Sequence, residues 1–218
     1  MTKENISRRP LASRDTKWAK SIAHWLIKSG LSPNQISVLS FVCAFMSGAS
    51  LIGAGMTVQT TQALLFLAAA VCIQMRLLCN LFDGMVAIEG GFKTKSGEIY
   101  NELPDRLSDA VILASAGYAL PATEWMHTMG WLAAILSIMT AYARALGGSA
   151  GASQHFTGPM AKPQRMAVMT VTCVIMTVLI FAGRPFNLIH PALCIISSGC
   201  VITIVRRIRL IVLDLEAK

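Results

Sequence analysis

Charge is scarce in this 218-residue chain: 14% of its residues are Asp, Glu, Lys or Arg, against roughly 25% in soluble domains. With so little charge and 54% hydrophobic residues, the chain is neither disordered nor a coiled coil. Its length leaves room for one domain or at most two. Cysteine is present without a pattern. Cys43, Cys72, Cys79, Cys173, Cys194 and Cys200 all lie in apolar runs, with no CxxC pair and no histidine at ligand spacing. That excludes a disulfide-stapled secreted module and reads as small apolar residues with free thiols. Acids are few as well, 11 against 19 Lys and Arg. The resulting net charge of +8 would by itself fit a nucleic-acid partner.

Long apolar runs are what the chain has instead. A spanning helix needs about 20 mostly apolar residues, and six stretches qualify or nearly do: 36–55, 62–82, 99–120, 126–146, 165–182 and 188–205. The third is split, with the polar run Ile-Tyr-Asn-Glu-Leu-Pro-Asp-Arg-Leu-Ser-Asp ahead of a fully apolar half at 110–120. A single helix with a polar cytosolic half and an apolar far half accounts for it. Fifteen Lys and Arg fall in the two end segments and two of the connections, against Arg184 alone in the remaining ones. This bias predicts that both termini are cytosolic, and it explains the +8 with no nucleic acid. Ahead of the first span, residues 15–28 set Trp18, Ile22, Trp25 and Leu26 on one side at helical spacing and Lys17, Lys20, His24 and Lys28 on the rest. That pattern predicts an amphipathic helix in the cytosolic interface; a plain basic flank before a span is the competing reading. No cleavable signal peptide is visible.

Six of the eleven acids, Asp83, Glu89, Glu98, Glu102, Asp105 and Asp109, fall within 27 residues. Asp105 and Asp109 sit inside a spanning stretch, where ionisable groups are costly and mark function by default. Gly97, Asn101, Asp105 and Asp109 recur every four residues and share one helix face; Asn80, Asp83 and Ala87 share another. Antiparallel neighbours would bring the two faces together as a cluster of oxygen ligands suited to Mg²⁺, Mn²⁺ or Ca²⁺. A solvated loop balancing Lys93, Lys95 and Arg106 suits Glu89, Glu98 and Glu102 better than it suits Asp83, Asp105 and Asp109.

The run Asn80-x2-Asp83-Gly84-x2-Ala87-Ile88-x8-Gly97-x3-Asn101-x3-Asp105 resembles the signature of the CDP-alcohol phosphotransferases, D-x2-D-G-x2-A-R-x8-G-x3-D-x3-D. Every interval matches. Ser32-Pro33-Asn34-Gln35-Ile36-Ser37 is similar to the family's entry to its first span. The resemblance implies an all-α integral membrane protein, with six transmembrane helices, an interfacial N-terminal helix and both termini cytosolic. Residues 1–30 would form the cytosolic segment, 31–210 the membrane unit and 211–218 the tail. It also implies a multi-pass enzyme of the cell membrane, its site facing the cytosol. The reaction implied is metal-dependent transfer of a phosphatidyl group from a CDP-diacylglycerol-type donor to an alcohol, with release of CMP. Asn80 and Asn101 depart from the pattern where it has Asp, and Ile88 departs where it has Arg. A catalytically altered or inactive member that binds CDP-lipid or regulates lipid synthesis is therefore the alternative.

Carried over position by position, Asp105 is the expected base, and Asn80, Asp83, Asn101 and Asp105 the expected ligands of one or two Mg²⁺ or Mn²⁺ ions. Asp109, the next carboxylate on that face, or Glu102 is expected to restore charge; the competing reading has Asp109 pair with Arg106 or another basic neighbour and serve packing alone. Asn34, Asp83, Gly84, Ala87 and Gly97 are expected at the CDP-lipid, with Arg76, Lys93 or Lys95 replacing the missing cation at Ile88. Arg144, Lys162 and Arg165, near the glycine-rich stretch 147–158, form a candidate basic pocket for a phosphorylated acceptor; anchoring by positive charge competes for the last two. The bilayer and a second copy of the chain complete the expected partners.

Overall fold

The computed structural model describes residues 16–91, 97–121, 124–184 and 186–217, without the side chains of Glu98 and Asn101. These residues form seven helices: α1 (Lys17–Lys28), α2 (Pro33–Met56), α3 (Gln59–Glu89), α4 (Gly97–Ala116), α5 (Glu124–Ser149), α6 (Lys162–Phe181) and α7 (Ile189–Glu216). Each of the six apolar stretches falls on one of α2 to α7. Residues 211–216, expected as a tail, continue α7. Among the described residues, α2, α3, α5 and α6 are long and apolar enough to cross a bilayer. α4 carries Glu102, Asp105 and Arg106 in its first half, and α7 carries Arg206, Arg207, Arg209 and Asp214 in its second. The chain is an all-helical, multi-pass membrane protein, and Val38, Phe45, Val71, Val178 and Phe181 stand exposed on its outer faces, as a lipid-facing surface requires.

Local chemistry sets the helix ends. Ser32 caps α2: its hydroxyl accepts from Gln35 N at 3.3 Å, and Gln35 Oε1 accepts from Ser32 N at 2.9 Å. Together these satisfy two otherwise orphaned amides. Pro33 opens the helix, where its missing N–H costs nothing. Just before it, Gly30 reverses the chain after α1 at φ +74°, a conformation glycine adopts without steric penalty. α1 turns its small residues inward. Ala19 and Ala23 are fully buried beside α3, while Trp18, Ile22 and Trp25 face outward. Trp18 also meets Phe82 of α3 edge-on, with ring centroids 6.2 Å apart.

α2 packs on both α3 and α4; α3 also packs on α6, α4 on α5, and α7 on α5 and α6. Leu51, Phe66, Ile73, Leu113, Met169 and Leu193, from five of these helices, fill the core. Lipid is as apolar as these side chains, so close fit rather than escape from water holds the helices together. Small residues make the fit possible. A Cβ on Gly130 of α5 would lie 2.8 Å from Gly117 Cα and 2.8 Å from Ala114 O, and one on Gly55 would overlap the Tyr118 carbonyl. α3 and α4, expected as close neighbours, instead each lean mainly on α2. The space between their polar faces is bridged by long side chains.

The crossing at Gly130 yields a test. Gly130→Ala forces a methyl against backbone, and overpacking of this kind costs about 1–3 kcal/mol. Its thermal unfolding midpoint in detergent should fall clearly below the parent's. Gly148→Ala, whose methyl would meet only Gln154 at 3.5 Å or more, should melt with the parent.

Candidate active site

Two polar ladders rise from the helix registers. On α2, Ser37, Ser40, Ala44 and Ser47 recur at intervals of three and four and are all buried against the neighbouring helices. Ser37 donates to Asp83 Oδ2 at 2.9 Å. Ser40 lies 3.3 Å from Arg76 O and 3.2 Å from Asn80 Oδ1. A serine has one proton and cannot donate to both. With the Asn80 amide turned, Nδ2 donates to Ser40, Ser40 donates to Arg76 O, and the Asn80 oxygen is released. As placed, Asn80 leaves its buried Nδ2 without a partner; turned, it leaves its oxygen without a donor instead.

That leaves one buried acceptor oxygen on α3 with no hydrogen-bond donor, Asp83 Oδ1, to which the turned Asn80 amide would add a second one turn away. Asp83 is 3% exposed, and an unpaired carboxylate oxygen at that depth is costly. Oxygen acceptors without donors suit a hard cation, so these residues fit a divalent ion. Among the described residues, no three His, Cys, Asp or Glu side chains converge as ligands; an ion here would rely on two carboxylates and on amide oxygens. Asp105 of α4 acts electrostatically on Asp83, as does Lys162 of α6. Asn101 lies one turn before Asp105, its side chain outside the described residues.

α4 presents its acids to α6 in register. Lys162 Nζ hydrogen-bonds Asp105 Oδ2, and three residues on Arg165 Nη2 meets Asp109 Oδ2 at 2.6 Å. Arg76, fully buried on α3, closes the set: Nη2 lies 2.6 Å from Asp109 Oδ1, 3.5 Å from Asp105 Oδ1 and 3.1 Å from Asp105 O. Arg165 also donates to Met160 O at 2.9 Å and to Thr140 Oγ1 at 3.2 Å. A buried guanidinium is tolerable only when so paired.

These placements revise several expectations. Asp109 was expected to lend an ion its charge, or to pair with Arg106 or another basic neighbour; the last of these is what the structure shows. Its oxygens meet Arg76 and Arg165, and Arg106 pairs with Glu102 at 2.6 Å. A carboxylate held by two guanidiniums has no charge to spare for an ion. Arg76, expected at the donor phosphates, is sealed among the acids of α4. Arg165, expected at the acceptor, is 1% exposed and cannot meet a soluble molecule. Lys162 touches Asp105 itself. Asn34 is exposed on the first turn of α2; Gly84, Ala87 and Gly97 are half-buried. Lys93 and Lys95 lie outside the described residues.

Arg144 of α5 stays on the rim. Nη2 meets Glu102 Oε2 at 2.8 Å, Nη1 reaches Gln154 at 3.3 Å, and the guanidinium stacks 5.0 Å over Phe156. One carboxylate, Glu102, thus serves two arginines. Residues the sequence did not single out hold the adjoining loop on α7. Arg207 donates to Thr140 O and Thr157 O. Thr203 Oγ1 accepts from Met160 N at 3.0 Å, and Gly158, at φ +130°, leaves room for the Thr203 side chain. Near the end of α7, beyond the expected span, hydrogen bonds from Ser153 and then His155 hold the Asp214 carboxyl below the usual carboxylate range.

The model of the CDP-alcohol phosphatidyltransferase family matches residues 31–208 of this chain. The inner membrane protein YnbA of Escherichia coli K12 is 26% identical over 144 residues, 66% of this chain and 67% of YnbA. Two solved structures of the Mycobacterium tuberculosis phosphatidylinositol phosphate synthase PgsA1 share the fold at 20% identity. The one with CDP-DAG bound covers 90% of this chain and 94% of that one at a TM-score of 0.73. The one with manganese and citrate covers 88% of each at 0.72.

Asp109 is tested through stability. Asp109→Asn strips the buried arginines of their shared counter-charge, and breaking such a pair costs about 3–5 kcal/mol. Its melting midpoint in detergent should drop sharply, whereas Asp214→Asn, at the exposed end of α7, should stay near the parent.

Proposed function

The chain belongs to the CDP-alcohol phosphatidyltransferase family, and from that membership we propose which of its residues perform the transfer and on what acceptor. As a member it moves a phosphatidyl group from a CDP-linked lipid to an alcohol, releasing CMP. The observation that carries the site is the buried Asp83 carboxylate oxygen that no donor meets, one turn from Asn80 on α3 and within electrostatic reach of Asp105 of α4.

Asn80, Asp83, Asn101 and Asp105 would hold the divalent ion, Mg²⁺ or Mn²⁺. When bound, it neutralises diphosphate charge and stabilises the departing CMP. Asp105 takes the proton of the acceptor hydroxyl. That oxygen bonds to the phosphatidyl phosphorus as the bond from phosphorus to the CMP oxygen breaks. Lys162 and Arg76 fix the Asp105 carboxylate in position for this step. Gly84 and Ala87, small and half-buried one turn apart, leave room for the cytidine diphosphate beside α3, with Asn34 and Gly97 at the same opening. Arg144 stands at the rim with charge to offer beyond Glu102, and with Lys162 it favours a phosphorylated alcohol as acceptor.

The membrane arrangement follows from charge. Reading α2 to α7 as six spans puts both termini and the acidic faces on the side where Lys and Arg concentrate, the cytosol. α4 and α7 cross with their polar halves at that surface. α1 then lies in the interface, Trp18 and Trp25 toward the headgroups.

Full-length protein given CDP-diacylglycerol, Mn²⁺ and a panel of alcohols and alcohol phosphates should release CMP with at least one of them. Asp105→Asn should lose about 10²–10⁴-fold in that release, the usual worth of a positioned base, while retaining CDP-lipid binding. Intact binding with no release from the parent across the panel would instead support a lipid-binding member without turnover.

A further inference from the structure

The charges at the centre cancel before any ion arrives. Asp83, Asp105 and Asp109 bring three negative charges; Arg76, Lys162 and Arg165 bring three positive ones. All six side chains are buried or nearly so. One divalent ion leaves the centre at two positive charges, and the diphosphate of a CDP-linked lipid, with two negative ones, restores balance. A second divalent ion would leave two uncompensated positive charges at a site largely closed to water, where unscreened charge is costly. Geometry agrees with the count. The carboxylate oxygen met by neither a donor nor a cation lies on α3, at Asp83, one turn from the Asn80 amide, while the Asp105 carboxylate is already met by an ammonium and a guanidinium. Asp109, the remaining carboxylate on that face, has a guanidinium nitrogen 2.6 Å from each of its oxygens.

We propose that the centre takes a single divalent ion, held from the Asn80 and Asp83 side, and that the Lys162 ammonium supplies at Asp105 the positive charge a second ion would bring. The proposal rests on the metal-dependent reading above and adds the ion count and the role of Lys162. Lys162 here is not an acceptor ligand alone. It neutralises the carboxylate that faces the reacting hydroxyl and keeps that place closed to a second cation. Lys162→Met opens it: with the diphosphate bound, the site then carries one negative charge after the first ion.

Mn²⁺ titration of the purified full-length chain in detergent, following the free-ion paramagnetic resonance signal, counts bound ions without reference to turnover. With CDP-diacylglycerol present, the parent and Lys162→Arg should each bind one Mn²⁺ with an uncoupled spectrum. Lys162→Met should bind two, with the spin coupling expected of ions about 3.5–4 Å apart. Two coupled ions in the parent would overturn the proposal while leaving the metal-dependent reading intact. A Lys162→Met protein that still binds one would overturn the part given to Lys162. No bound Mn²⁺ in the parent would sink the metal-dependent reading itself. If Lys162→Met fails to fold, the parent's count alone decides between one ion and two.

Discussion

The bundle turns on two arginines that have no route to water. Arg76 and Arg165 are among its largest fully buried side chains, and both end on Asp109. In an apolar medium neither can stand unpaired, so α3, α4 and α6 must keep the relative heights that let one carboxylate meet both. That requirement fixes more than stability. It sets Lys162 opposite Asp105 one turn away, because Lys162 and Arg165 on α6 are spaced to match Asp105 and Asp109 on α4. Long cationic side chains also hold α3 and α4 apart where methyl-lined helices would close. The gap between the acidic faces is therefore spanned by the same pairs that stabilise the fold.

The far end of the bundle is built on the opposite principle. Gly55, Gly117 and Gly130 let backbones approach until nothing larger fits, and close packing there is joined by hydrogen bonds from Gln62 to Ala54 O and from Trp131 to Tyr118. One end is tight, the other bridged by charge. A site for a diphosphate needs the second, and the first lets the fold tolerate it.

What could be read in the sequence was local. The four-residue recurrence of Asn101, Asp105 and Asp109 and the interval from Asn80 to Asp83 follow from helix geometry, and so does the split character of α4. The cap at Ser32 and Gln35 was present as Ser-Pro-Asn-Gln. Partnerships between helices were not legible. Arg76 meets the Asp105 carbonyl 29 residues on, Arg165 meets Asp109 across 56 and Lys162 meets Asp105 across 57. Along the chain, Lys162 and Arg165 are indistinguishable from cations that anchor a helix end. Arg76 has no acid within a helical turn, so a ligand looked a better match for it than a distant Asp. The serines of α2 did carry a signal, a small polar residue every three or four positions, which matters only once the helix they face is known.

The seating of α1 has a consequence for how a lipid reaches the enzyme. Ala19 and Ala23 lie against α3, and Trp18 touches Phe82, the residue before Asp83. On the membrane arrangement proposed above, with its tryptophans at the headgroup level, this helix would work as a depth gauge fastened beside the proposed site. The diphosphate of a CDP-linked lipid rides at that same level, tethered by its acyl chains. Donor and site then meet by sliding sideways in the leaflet, and the acyl chains never have to leave the oil.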